Sequence, residues 1–362
     1  MLEAGTTATR PTTAPVRPSR GAAVTSPVAP AAGTFSAAGS SKAAQPVAAP
    51  PVVAPPAVPA PAVATRVDLH QHLLPPEFLD ALRARSVAPR LIDDWTLLTT
   101  GESPYSVNPA AHDVERRRSR ELAEGKGNVM VSLPGNLRVE DLPYDDSRSL
   151  IEIWHRSALA LGDPFRVWAA TPLGDFDLEQ LEGILAESRV VGLQVPATHL
   201  ATVGALERLK PVLDLVEAAR KPVLVHPRHV VAAPNHGVPT SDTLPRAEQL
   251  KAAWLTWNEV GRLRHPNLRI AFIALAGLAP LALAAASSRG GRPPKSDPNV
   301  FYETSAYDER AIDAMARIVG VGPLVHGSDR PFRQPRDPEL GRVFNHALFS
   351  ANPRTLLTGQ PG

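Results

Sequence analysis

The sequence predicts an α/β protein of the (β/α)8 class, a TIM barrel preceded by a disordered N-terminal tail. Three observations lead to this prediction: a proline- and alanine-rich start, eight short apolar runs after it, and helically spaced segments between those runs. With 362 residues, 43% of them hydrophobic, the chain is long and apolar enough to bury a large core.

The first 65 residues form the predicted tail, and residues 66–362 the predicted barrel domain. Dense proline removes backbone donors and favours extended conformations, so the tail is expected to be disordered. It has no uninterrupted apolar stretch behind a basic start, and no later stretch suits a membrane span. These features predict a cytoplasmic protein.

The eight apolar runs are typical of strands that are buried in a parallel sheet. They are residues 67–72, 128–133, 165–172, 190–196, 222–226, 268–275, 299–305 and 323–328. The segments between them include apolar residues at helical spacing, for example Leu178, Leu181 and Leu185. Alternating strands and helices favour a closed barrel. The alternative, a doubly wound open sheet, is disfavoured because no Gly-x-Gly-x-x-Gly loop follows the first run.

Composition limits the possible partners and cofactors. The chain has no cysteine, which excludes disulfides, zinc–thiolate sites and cysteine nucleophiles. Its formal charge is only +2, too small to predict binding to nucleic acid or to an anionic membrane. A small-molecule substrate is therefore expected. Trp254 and Trp257 lie three residues apart in a helical segment, where they would pack against the barrel or against a second subunit of a homodimer.

Histidine and aspartate stand at the ends of three of the runs. His70 and His72 share one face of the first strand because side chains alternate along a strand. His226 ends the fifth run and Asp329 follows the eighth. A parallel barrel brings all its strand ends to one rim, so these four side chains are predicted to meet. Three imidazoles and a carboxylate suit one divalent metal ion, Zn2+ by preference with Mn2+ as the alternative.

Longer motifs around these residues resemble a known family. They are Asp68-Leu69-His70-Gln71-His72, Val225-His226-Pro227, Arg264-His265-Pro266-Asn267-Leu268-Arg269-Ile270 and His326-Gly327-Ser328-Asp329-Arg330-Pro331. In this order they resemble the amidohydrolase superfamily, in the branch of aminocarboxymuconate-semialdehyde decarboxylase and the aromatic acid decarboxylases. The resemblance covers nearly all of the chain outside the tail.

The resemblance implies a metal-dependent enzyme that hydrolyses, or decarboxylates without oxidation, a small carboxylate-bearing and possibly aromatic substrate. It makes His70, His72 and His226 metal ligands. Asp329 becomes a further ligand or the catalytic group that handles a proton of water at the metal. The fourth strand carries Gln194 but no lysine to bridge two metals, so one metal ion is expected.

One departure from the family pattern concerns proton transfer. The family usually has a histidine at the end of the sixth strand, where this chain has Ala274 or Leu275. Candidate substitutes are His229, His236 and Arg228, together with Asp329 itself. The alternative to an enzyme is therefore a degenerate barrel that binds a small carboxylate and does not turn it over.

Arg330 and Arg333 follow Asp329 directly in the sequence. Either could bind a substrate carboxylate through two parallel hydrogen bonds. The competing interpretation is that they are surface arginines paired with Asp337 or Glu339.

Overall fold

The computed structural model describes residues 65–100, 104–228, 243–287, 290, 296–334 and 337–360. The predicted tail therefore lies outside the described residues except for Thr65. Among the described residues, no helix combines the length and apolar character that crossing a bilayer requires. The cytoplasmic location stays a prediction.

Eight parallel strands form one sheet, as predicted. They are β1 (Arg66–Gln71), β5 (Lys126–Val131), β6 (Phe165–Ala169), β7 (Val190–Pro196), β8 (Val223–His226), β9 (Ile270–Phe272), β10 (Val300–Glu303) and β11 (Leu324–Val325). Each strand pairs with the next in this order. Nearly every strand residue is buried, because the barrel interior covers one face and the helices cover the other.

Backbone hydrogen bonds between the first and last strands close the barrel. Leu69 N–H donates to the His326 carbonyl oxygen (2.9 Å), and His72 N–H donates to that of Arg330 (2.6 Å). In the opposite direction, Asp329 N–H donates to the His70 carbonyl oxygen (2.8 Å). The closure therefore places the end of the eighth barrel strand directly beside the two histidines of the first.

Helices follow the strands. They are α1 (Pro76–Ala84), α2 (Val114–Ala123), α3 (Tyr144–Leu159), α4 (Leu178–Ala186), α5 (Val203–Ala218), α6 (Thr243–Thr256), α7 (Arg262–Arg264), α8 (Ala279–Ser287), α9 (Glu309–Val319), α10 (Arg342–His346) and α11 (Asn352–Thr358). A π-helical turn joins α6 to α7, and another joins α10 to α11. Asp113, Asp177, Thr202 and Asp308 each accept a hydrogen bond from the first turn of α2, α4, α5 and α9. Side-chain caps at these positions define where each helix begins.

The long connection after β1 is more ordered than a loop. It contains α1 and an antiparallel sheet of β2 (Arg90–Ile92), β3 (Thr96–Leu98) and β4 (Tyr105–Ser106). Leu91 and Leu97 on this sheet are buried in the hydrophobic core. The connection thus forms a small wall beside the barrel rim.

Trp254 and Trp257 are both buried within the chain. The indole N–H of Trp254 donates to the hydroxyl of Tyr302 (3.1 Å), and Trp257 stacks on His265 with ring centroids 6.1 Å apart. Packing inside the domain accounts for both side chains, so they carry no signal for a homodimer.

Candidate metal centre

The histidines at the end of β1 point to one place. The Nε2 atoms of His70 and His72 lie 3.1 Å apart, and both side chains are almost completely buried. The ring of His226, from the end of β8, lies within 5.3 Å of both other rings, measured between centroids. One donor atom from each of the three residues lies within 4.8 Å of the others. The first and fifth barrel strands therefore meet as predicted.

The opposite nitrogens of two of these rings lie close to backbone carbonyl oxygens. Nδ1 of His72 lies 3.0 Å from the carbonyl oxygen of Ser132, and Nδ1 of His226 lies 2.7 Å from that of Pro227. A carbonyl oxygen only accepts hydrogen bonds, so each ring carries its proton at Nδ1. The Nε2 lone pairs are then free for a metal ion.

Asp329 completes the cluster through barrel closure. Its Oδ1 atom lies 3.3 Å from Nε2 of His72 and 3.9 Å from Nε2 of His70. Its backbone is in the left-handed region, with φ of 53°. Such conformations cost about 1 to 3 kcal/mol and are concentrated at functional sites.

The electrostatics of the cluster favour one positive charge at its centre. Burial lowers the pKa of His70, but Glu303, Asp329 and Asp68 outweigh burial and leave that pKa raised. Burial and the neighbouring imidazoles lower the pKa values of His72 and His226. For Asp329, burial raises the pKa, but the close contact with His72 and the nearby imidazoles bring it down to about 2.

These four residues fit a divalent metal ion. Nε2 of His226 is buried and has no hydrogen-bond partner among the described residues. Ligand atoms around a tetrahedral ion with bonds near 2.1 Å are about 3.4 Å apart, close to the distances from His72 Nε2 to its neighbours in the cluster. A cation would bind Nε2 of His226, which has no other partner among the described residues, and the Asp329 carboxylate.

Sequence reasoning missed Glu303, which stands behind His70. Its carboxylate ends β10, is fully buried, and places Oε2 3.7 Å from Nδ1 of His70. Ser305 donates to it from both its backbone N–H (2.6 Å) and its hydroxyl (2.9 Å). A carboxylate behind a ligating histidine orients the ring and makes it a better donor. Examining the end of the seventh apolar run would have revealed this residue.

The end of the sixth barrel strand has a left-handed turn in place of a histidine. Five consecutive residues, from Ala274 to Leu278, have φ between 49° and 63°. The Ala274 N–H donates to Oε2 of Glu303 (3.2 Å). The turn therefore brings backbone, with no ionisable group, to the position that the family pattern assigns to a histidine.

The cluster opens into a pocket of about 400 Å³. Its wall includes Ala274, Tyr307, Phe332, Arg246 and Arg333. Arg333 lies 3.4 Å from Asp329 Oδ2, in the position the sequence suggested for a substrate-binding arginine.

The remaining sequence candidates lie elsewhere. Arg330 points to α2, where it forms two hydrogen bonds with Glu121 (2.9 and 2.8 Å) and one with Glu124 (2.9 Å). It is therefore neither paired with Asp337 or Glu339 nor free for a substrate. Arg228 is paired with Asp141. His229 and His236 lie outside the described residues.

The fold is similar to that of several solved decarboxylases. IDCase of Metarhizium anisopliae matches with a TM-score of 0.60 and 15% identity over 82% of this chain and 95% of that one. The 5-carboxyvanillate decarboxylase of Sphingomonas paucimobilis matches with a TM-score of 0.60 and 16% identity over 81% of this chain and 99% of that one. A dihydroxybenzoic acid decarboxylase of a Polaromonas species was solved with manganese and the inhibitor 2-nitroresorcinol. It matches with a TM-score of 0.60 and 17% identity over 82% of this chain and 97% of that one.

No family model and no curated protein matches the sequence. At these identities the likeness shows the fold alone. The predicted barrel and its resemblance to the amidohydrolase-related decarboxylases are confirmed at that level.

Proposed function

We propose that this protein is a metal-dependent carboxy-lyase that removes carbon dioxide from a small organic acid without oxidation. The observation that carries the proposal is the convergence of His70, His72, His226 and Asp329, the last three of which line a pocket. The three similar structures named above are decarboxylases, which favours this reaction over hydrolysis.

The four residues would hold one divalent ion. Three imidazoles and a carboxylate suit Zn2+ and Mn2+ alike, and manganese in the Polaromonas structure makes Mn2+ at least as good a candidate. When bound, the ion supplies positive charge that binds the oxygens of the substrate and stabilises negative charge that develops during the reaction.

The pocket side chains would bind the acid and return a proton. Arg246 and Arg333 line the pocket and can bind a carboxylate. Loss of carbon dioxide leaves an electron pair on carbon, which must take up one proton. Tyr307 lines the same pocket, and burial raises its pKa, so its hydroxyl stays protonated near neutral pH. We assign delivery of this proton to the Tyr307 hydroxyl, because no histidine stands on the sixth strand. Asp329 is ionised at neutral pH and would act as the base that takes a proton from water and returns it to the Tyr307 oxygen.

Metal analysis tests the site. Purified full-length protein, grown with zinc or manganese, should contain about one equivalent of metal, and His70→Ala and His226→Ala should lose it. His346→Ala, at an exposed histidine on α10, is the matched control and should keep the metal. Wild-type protein that binds neither metal would rule out the proposed centre.

Turnover tests the reaction. Carbon dioxide release from 5-carboxyvanillate, 2,6-dihydroxybenzoate and related acids should require bound metal and should fall at least tenfold in Tyr307→Phe. A metal-loaded protein that binds these acids but releases no carbon dioxide would instead support the degenerate carboxylate-binding barrel.

A further inference from the structure

A second cavity, of about 390 Å³, lies beside the pocket of the metal cluster. The two cavities share Phe332 and Arg333 in their walls. The second is bounded by α2, by the small antiparallel sheet and by the segment that follows Asp329. It takes no side chain from the metal cluster itself.

Arginines dominate the polar part of this wall. Arg116, Arg117, Arg120, Arg330 and Arg333 all line the cavity, and no aspartate or glutamate does so among the described residues. Glu121 and Glu124 are the ion-pair partners of Arg117, Arg120 and Arg330, yet neither lines the cavity. The cavity is therefore a place where negative charge is stabilised.

Three nearly buried polar side chains line the cavity and carry hydrogen-bond donors. His112 accepts a hydrogen bond at Nδ1 from the backbone N–H of Leu74 (3.1 Å), so its proton is at Nε2. Nε of Arg330 is buried and has no hydrogen-bond partner among the described residues. Nε of Arg117 lies 3.4 Å from Glu121 Oε1 without forming a hydrogen bond. All three side chains are more than nine-tenths buried. The unpaired N–H groups of the two arginines add to the positive potential that the cavity presents to an anion.

The rest of the wall is apolar. Leu74, Leu97, Val107, Pro134 and Leu137 contribute to it, together with the ring of Phe332. A phosphate ion would leave this surface unused, whereas a carboxylate on a ring or short hydrocarbon body would cover it.

We propose that this cavity is a second binding site, separate from the metal cluster, for a small organic carboxylate with an apolar body. Arg116 would bind the carboxylate at the open side, because it lines the cavity and has no acidic partner among the described residues. Nε2 of His112 would supply a further donor, the buried arginines would contribute positive charge, and the apolar wall would hold the body. The site does not depend on the proposed decarboxylase activity.

Calorimetric titration of metal-free full-length protein with benzoate tests the proposal. Saturable binding is expected, about tenfold weaker in Arg116→Gln and close to wild type in Arg116→Lys. Arg118→Gln is the matched control, because it removes the same charge from α2 outside the cavity. Arg246→Gln removes a charge from the wall of the metal pocket and tests whether benzoate binds there instead. Arg118→Gln should bind benzoate like wild type.

Three results would overturn the proposal. One is equal loss in Arg116→Gln and Arg118→Gln, and another is loss in Arg246→Gln alone. The third is that benzamide or inorganic phosphate binds as tightly as benzoate. A crystal grown with 4-bromobenzoate gives an independent location: an anomalous bromine peak near Val107 and Leu137 supports the site, and bromine confined to the pocket beside His72 contradicts it.

Discussion

Glu303 and His70 come from the seventh and first barrel strands and meet, fully buried, with Oε2 3.7 Å from Nδ1. Because Nδ1 of His70 has no hydrogen-bond partner among the described residues, this carboxylate is the group best placed to orient the ring.

Glu303→Gln should weaken metal binding about 10- to 100-fold while the protein stays folded, because the amide keeps the shape but not the charge. Titration of metal-free protein with Zn2+ or Mn2+ measures the change. Glu140→Gln is the control, since Glu140 is also buried but binds Gln194. Equal effects of the two substitutions would argue against a positioning role.

Gly327→Ala should also weaken metal binding at least tenfold, by displacing Glu303. A Cβ atom at Gly327 would lie 2.2 Å from Oε1 and 2.6 Å from Cδ of that residue. Overpacking of this kind also costs about 1 to 3 kcal/mol of stability. Metal titration and urea unfolding together measure both effects. Gly322→Ala, where a Cβ atom meets nothing within 4 Å, should change neither. Wild-type metal affinity in Gly327→Ala would contradict this account.

Gly135→Ala should disturb His226. The added Cβ atom would lie 2.9 Å from Nδ1 of His226 and 3.2 Å from the carbonyl oxygen of Pro227, which that nitrogen contacts. The ring must shift, so metal affinity should fall by about tenfold or more. Metal titration measures this change. Gly174→Ala is the control, because a Cβ atom there meets nothing within 4 Å. An unchanged affinity would show that His226 tolerates movement or does not bind the ion.

Acid should destabilise the protein through His155. Burial lowers the pKa of this histidine to about 4 in the folded state, below its ordinary value of 6.5. Between these values the unfolded chain takes up a proton that the folded chain does not. Stability is therefore lost as the pH falls from about 6.5 to 4, by about 2 kcal/mol at pH 5.

Urea unfolding at pH 7 and pH 5 measures this loss. His155→Gln should reduce the difference between the two pH values, because an amide does not titrate and its oxygen can still accept the Ala170 N–H. A variant that loses as much stability as wild type would exclude His155 as the source.

The left-handed turn predicts an unusual response to glycine. Ala276 has φ of 53°, which costs a residue with a Cβ atom about 1 to 2 kcal/mol and glycine nothing. Ala276→Gly should therefore leave the free energy of unfolding unchanged or raise it. Ala253→Gly, inside helix α6, should lower it by at least about 1 kcal/mol. Thermal or urea unfolding compares them, and equal losses would mean that Ala276 is not strained.

Much of the fold could be predicted from the sequence, because strands buried on both faces appear as short apolar runs. All eight runs overlap a barrel strand. The antiparallel sheet of β2, β3 and β4 escaped prediction because its strands are two or three residues long, too short for a periodic pattern. The turn at Ala274 escaped because four of its five residues are alanine or leucine, which ordinarily favour helix, and only their packing holds these four in the left-handed region.

The sequence by itself determined which strand ends carry His70, His72, His226 and Asp329. Alternation along a strand and the common rim of a parallel barrel then bring them together. Only the tertiary structure decided what surrounds them. Glu303 lies behind His70 because β10 ends there. Arg330 points to α2 because it forms ion pairs with Glu121 and Glu124. Such contacts join residues far apart in the chain, so they depend on distances that no local pattern encodes.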